Sequence, residues 1–123
     1  MPHKILIADD EPHMLRLIEV SLRKGGFQIV QARDGREAVA VAIREKPDLV
    51  VMDLVMPELD GFAALRELKL NADTAHTPVI LLTSRGQAIV REEAERSGAA
   101  LYLQKPFSPA QLLVEAKRLL GLA

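Results

Sequence analysis

Four stretches of this chain end an apolar run with a residue able to do chemistry. Asp9 and Asp10 follow Ile5-Leu6-Ile7-Ala8, and Asp53 follows Leu49-Val50-Val51-Met52. Thr83 follows Val79-Ile80-Leu81-Leu82, and Lys105 comes shortly after Leu101-Tyr102-Leu103. Three carboxylates placed together repel one another, and their pKa values rise unless a cation neutralises them. Mg²⁺ suits such a set, because it prefers oxygen ligands, keeps waters and is held by one or two carboxylates plus a phosphate. A carboxylate is also a nucleophile that accepts a phosphoryl group as an acyl phosphate. A metal, an ammonium and a hydroxyl then offset the charge on the transferring oxygens. Lys105 supplies the ammonium and Thr83 the hydroxyl, so the parts needed to accept and hold a phosphoryl group are present.

Taken singly, each residue has a plainer explanation. Acids favour the start of a helix through its dipole, and a strand-end Asp is commonly a turn or cap residue. Thr83 alone reads as a strand residue, Lys105 as a solvated lysine and Tyr102 as edge-strand packing. Asp60 reads as an N-cap. His3, His13 and His76 have no metal-ligand spacing and read as surface residues, while Met14, Met52 and Met56 read as packing or loop residues. The case rests on company, and company depends on the elements that carry these residues.

Those elements alternate. Lys4 to Ala8 is too short and apolar for a surface helix and reads as a buried strand. Pro12 suits a first helical turn, and Leu15, Ile18 and Leu22 continue the pattern until Gly25-Gly26 stops it. Phe27 to Ala32 is a second strand; Asp34 with Glu37 starts a helix that runs through Arg44. Leu49 to Met52 is a third strand ending at Asp53, and Asp60 caps a helix carrying Phe62, Leu65 and Leu68. Val79 to Leu82 is the fourth strand, Gln87 to Ser97 a helix stopped by Gly98, and Leu101 to Leu103 the fifth strand. Ser108, Pro109 and Gln111 begin the last helix. Five strands alternating with five helices predict an α/β fold: a parallel sheet, doubly wound, with right-handed crossovers. Function in such sheets gathers at the carboxyl ends of the strands, where all four sets of polar residues fall.

The bulk properties remove other classes. The 123 residues read as one domain, 1–123, a length sufficient for a core without staples. Hydrophobic residues are 49% and aromatics only 3%, so the core is aliphatic. The absence of cysteine excludes disulfides, thiolate metal sites and thiol catalysis. A formal net charge of −1 without a basic run gives no electrostatic footprint for nucleic acid. The amino terminus MPHKILIADD is neither a signal peptide nor a membrane span; the expectation is a soluble cytoplasmic protein without membrane insertion.

The chain resembles the receiver (response-regulator) domains of two-component signalling over essentially its whole length. The resemblance is carried by Asp9-Asp10, by Met52-Asp53-Leu54-Val55-Met56-Pro57 with Asp60-Gly61, by Leu82-Thr83-Ser84 and by Lys105-Pro106-Phe107. It implies a flavodoxin-like strand order 2-1-3-4-5 and Asp53 as phosphoacceptor. It implies Asp10 as direct metal ligand, Asp9 as a water-mediated one, and the backbone carbonyl of Val55 as another. Lys105 would pair with phosphoryl oxygens, and the Lys105–Pro106 bond would be cis. Thr83 and Tyr102 match the family's switch pair. Mg²⁺ is the implied cofactor, with Mn²⁺ a substitute, and the donor is a histidine kinase or histidine phosphotransfer protein. The output is a downstream protein bound at the face of the fourth helix, fifth strand and fifth helix, by a monomer or a phosphorylation-dependent dimer. Such a protein assists its own phosphorylation and dephosphorylation but is a signalling protein, not an enzyme. In the family, the positions two after the phosphoacceptor and two after the threonine flank the path of the hydrolytic water; here they are Val55 and Arg85.

Rival readings are weaker. A phosphatase of the haloacid-dehalogenase type needs an acid two residues after its nucleophile, where this chain has Val55. A flavodoxin-like flavin binder needs a Ser-, Thr- or Gly-rich loop after strand one, where Asp9-Asp10-Glu11 would repel phosphate. Within the family, a phosphorelay intermediate, or a receiver cut from a larger regulator with DNA-binding or enzymatic output, stays open beside the stand-alone switch.

Overall fold

The computed structural model describes residues 2–84, 92 and 96–122. Strands β1 (Lys4–Ala8), β2 (Gln28–Ala32), β3 (Leu49–Asp53), β4 (Val79–Thr83) and β5 (Leu101–Gln104) form one sheet. Every pairing is parallel and the order is β2-β1-β3-β4-β5, the flavodoxin-like order that the resemblance implied. The described helices are α1 (Pro12–Arg23), α2 (Gly35–Glu45), α3 (Gly61–Leu70) and α4 (Pro109–Leu119). The helix expected over 87–97 falls for the most part outside the described residues, though Glu92, Arg96 and Ser97 are helical. Arg85 also lies outside them.

Side chains alternate along each strand, and two cores result. Leu6, Ala8, Val50, Met52, Val79 and Leu81 face a cluster completed by α2 and α3. Ile5, Ile7, Leu49, Val51, Ile80 and Leu82 face the other, completed by Leu15, Ile18 and Leu22 of α1 and by Leu112 and Ala116 of α4. Burial on both faces is why β1, β3 and β4 read as unbroken apolar runs. Each fully buried Leu or Ile contributes about 1.5–3 kcal/mol, so an aliphatic core suffices without Trp.

Helix starts follow the local chemistry. The Asp34 carboxylate accepts from the Glu37 N–H at 2.7 Å, and Asp60 from the Ala63 N–H at 2.8 Å. Ser108 Oγ accepts from the Gln111 N–H at 3.2 Å, with Pro109 opening α4. Strand two begins one residue later than expected. Gly26 has φ +82°, and the chain then turns Phe27 into the second core before pairing starts at Gln28, whose N–H donates to the His3 carbonyl at 2.9 Å.

Candidate functional site

The carboxyl ends of β1, β3, β4 and β5 open onto one edge of the sheet. Backbone hydrogen bonds tie these ends together: Asp9 N–H to the Ala32 carbonyl at 3.1 Å, Leu54 N–H to Leu82 at 2.8 Å, and Lys105 N–H to Thr83 at 2.6 Å. The functional side chains therefore rise from a fixed frame. Asp9 is wholly buried, Asp53 and Thr83 are buried, Lys105 is half-buried and Asp10 is exposed. The contrast between Asp9 and Asp10 follows from the strand, since neighbouring residues at its end point to opposite sides.

Lys105 Nζ stands 3.3 Å from Asp9 Oδ2 and 3.3 Å from Asp53 Oδ2. Asp9 also accepts from the Glu11 N–H at 2.9 Å, which holds its carboxylate at the base of α1. The Val55 backbone N–H favours the charged form of Asp53. One carboxylate oxygen each from Asp9, Asp10 and Asp53 lies within 4.8 Å of the others.

Burial pushes the Asp53 carboxyl up from its ordinary value, and the negative charge of Asp9 pushes it further; Lys105 and the Val55 N–H oppose this without cancelling it. The Asp9 carboxyl is also raised by burial, against the Glu11 N–H and Lys105. Burial works to lower Lys105, yet the carboxylates of Asp53 and Asp9 outweigh it and the net shift is upward. One ammonium thus faces three carboxylates, and the site carries excess negative charge. A divalent cation relieves that excess. Two oxygens on the same Mg²⁺ lie at most about 4.2 Å apart, so carboxylate oxygens clustered within 4.8 Å need only small shifts to meet one ion, directly or through a water. The donor set, all oxygen, fits Mg²⁺.

The sequence-predicted residues separate into groups. Asp9, Asp53 and Lys105 are in mutual contact, with Asp10 beside them. Thr83 ends the strand next to β5, in register with Gln104. Val55 is 54% exposed at the rim, so the position beside Asp53 is open to water. Tyr102 is half-buried against the core formed with α2 and α3. The Lys105–Pro106 peptide is cis. His13 and His76 are exposed, but His3 is half-buried with its ring edge-on to Phe27, centroids 6.5 Å apart, which amends its surface reading.

Sequence reasoning did not find the direct bond between Lys105 and Asp9, since nothing local says which of two adjacent acids turns inward. It also passed over the closed shape of the loop after Asp53. There Gly61 N–H donates to the Leu54 carbonyl at 2.7 Å, and Glu58 adopts φ +69°.

The response regulator receiver domain model matches residues 5–117 of the chain. Protein PilH of Pseudomonas aeruginosa is 43% identical over 110 residues, covering 89% of this chain and 91% of PilH. The DNA-binding dual master transcriptional regulator RpaA of Synechocystis is 38% identical over 117 residues. That match covers 95% of this chain but 48% of RpaA, so the chain spans about half the length of that relative. Among solved structures, the receiver domain of sensor histidine kinase PA1611 from Pseudomonas aeruginosa superposes with a TM-score of 0.90 at 34% identity. It covers 98% of this chain and 99% of that one, and it has a magnesium ion coordinated in its active-site cleft.

Proposed function

Because the chain belongs to the response regulator receiver domain family and is a phosphoacceptor signalling domain, we propose that Asp53 is the residue that takes the phosphoryl group. The observation that carries this is the Asp53 carboxylate itself, buried at the centre of the strand-end cluster with the Lys105 ammonium at 3.3 Å. In the transfer, a carboxylate oxygen of Asp53 forms a bond to phosphorus as the bond to the donor breaks. For a phosphohistidine donor that is a P–N bond, and the imidazole leaves with the electron pair and takes up a proton. Lys105 holds a phosphoryl oxygen through its charge, and the Thr83 hydroxyl donates to another. Asp10, Asp53 and the Val55 carbonyl would hold Mg²⁺, with Asp9 acting through a water, and Mn²⁺ would substitute. The ion supplies charge neutralisation at the transferring oxygens.

The phosphoryl group adds roughly −1.5 to −2 charge at neutral pH. It draws Thr83 and Lys105 inward and leaves Tyr102 room to turn. The expected output face, of which β5 and α4 lie among the described residues, then shifts between two states, and partner binding or dimerisation reads the shift. A cytoplasmic histidine kinase or phosphotransfer protein is the donor. A second reading is that this receiver serves a larger regulator, as the chain spans about half the length of RpaA and 91% of PilH.

Acetyl phosphate or phosphoramidate with Mg²⁺ should add one phosphoryl group by intact mass, and chelator or Asp53→Asn should abolish the addition. Modification of the variant to the wild-type extent would defeat the assignment.

A further inference from the structure

Glycine weakens the first turn of a helix relative to alanine, because it has more conformational freedom to lose. Gly35 nevertheless opens α2, and its backbone is not left-handed. The reason lies across a neighbouring loop. A Cβ on Gly35 would stand 1.7 Å from the carbonyl oxygen of Leu59, 2.6 Å from its carbonyl carbon and 2.8 Å from its Cβ. The nearest obstacle is backbone, so no rotamer change relieves it.

Leu59 belongs to the short stretch 54–60 that leads from Asp53 to α3. That stretch is fastened at its other end as well. The Gly61 N–H donates to the Leu54 carbonyl at 2.7 Å, and a Cβ on Gly61 would lie 2.8 Å from both the Asp53 carbonyl oxygen and Leu54 Cα. Between the two glycines, Leu59 N–H bonds the Pro57 carbonyl at 2.7 Å and Glu58 adopts φ +69°. The loop is thus held at both ends, at Leu59 by the start of α2 and at Leu54 and Asp53 by Gly61.

We infer that Gly35 is a positioning residue for the phosphoacceptor: by admitting the Leu59 carbonyl against the start of α2, it sets the 54–60 loop and the Val55 backbone beside Asp53. The inference rests on the reading of Asp53 given above. Gly26 supplies the control. It has φ +82° with nothing within 4 Å of an added Cβ, so Gly26→Ala strains the backbone at the far end of the sheet without touching the loop.

Gly35→Ala should lose Mg²⁺ affinity and acetyl-phosphate modification rate by about tenfold, with the Val55 and Asp53 amide resonances displaced while the rest of the spectrum stays folded. Gly26→Ala should lower Tm yet keep both quantities at the wild-type level. A folded Gly35→Ala with wild-type Mg²⁺ affinity and rate overturns the inference, as does an equal loss in Gly26→Ala. Should Gly35→Ala fail to fold, native-state hydrogen exchange on the wild type decides. The amides of Leu59 and Gly61 should open as one unit with those of Glu37 and Ala38, and independent opening of the loop overturns the inference. Phosphorylation of Asp53→Asn would defeat the phosphoacceptor assignment while leaving the Mg²⁺ and exchange results standing, so the two failures are distinct.

Discussion

Lys105 answers two carboxylates at 3.3 Å each, while a third stands close by, and burial of the Asp53 charge together with the repulsion of Asp9 outweighs the attraction of Lys105. Asp53→Asn should stabilise the metal-free protein by about 1 kcal/mol, read as a Tm rise of a few degrees; an unchanged or lower Tm would show that Lys105 already balances the site. The residues flanking the acceptor set a second expectation. Val55 offers no hydrogen bond to a water and Arg85 has donors only, so neither takes a proton from an attacking water. Loss of phosphate after donor removal, in excess Mg²⁺, should be slower in the wild type than in Val55→Asn, Arg85→Glu. Equal rates would show that these positions do not set the lifetime. At this scale the sequence was legible in residue types, because ammonium, hydroxyl and carboxylate chemistry is written in the letters. Which acid faces Lys105 was not, since that depends on how a strand end is rotated and on the Glu11 N–H that captures Asp9.

Among the elements, α3 carries the loop from Asp53, and its cap is a single bond from Asp60 to the Ala63 N–H at 2.8 Å. Asp60→Ala should destabilise by about 1 kcal/mol, measured by urea unfolding with an unchanged m-value. A larger loss would mean that the cap also holds the loop. The strand-to-surface coupling has its own measurement: beryllofluoride should shift amide resonances across Leu101 to Gln104 and Gln87 to Ser97, and shifts confined to the metal pocket would refute the coupling. Helix starts were readable because Asp34, Asp60 and Ser108 cap by sequence-local bonds. The contact of Gly35 with Leu59 was not readable, because it joins segments from two different crossovers.

For the molecule as a whole, ion binding at the strand ends would be linked to folding, since the folded chain brings Asp9, Asp10 and Asp53 within 4.8 Å. Stabilisation at a hundredfold excess over Kd is about 2.7 kcal/mol, so Tm should climb with Mg²⁺ in the wild type and climb less in Asp10→Ala. A flat response in the wild type would count against a single folded-state site. The alternation of strands and helices was evident in the apolar runs, whereas the order β2-β1-β3-β4-β5 came from resemblance alone, because periodicity does not say which strands are neighbours. That order leaves β2 and β5 as the margins of the sheet. Open margins invite another chain to add a strand, but β5 has only four residues and β2 only five. Margins this short present few unpaired N–H and C=O groups, so a stray strand finds little to pair with at either one.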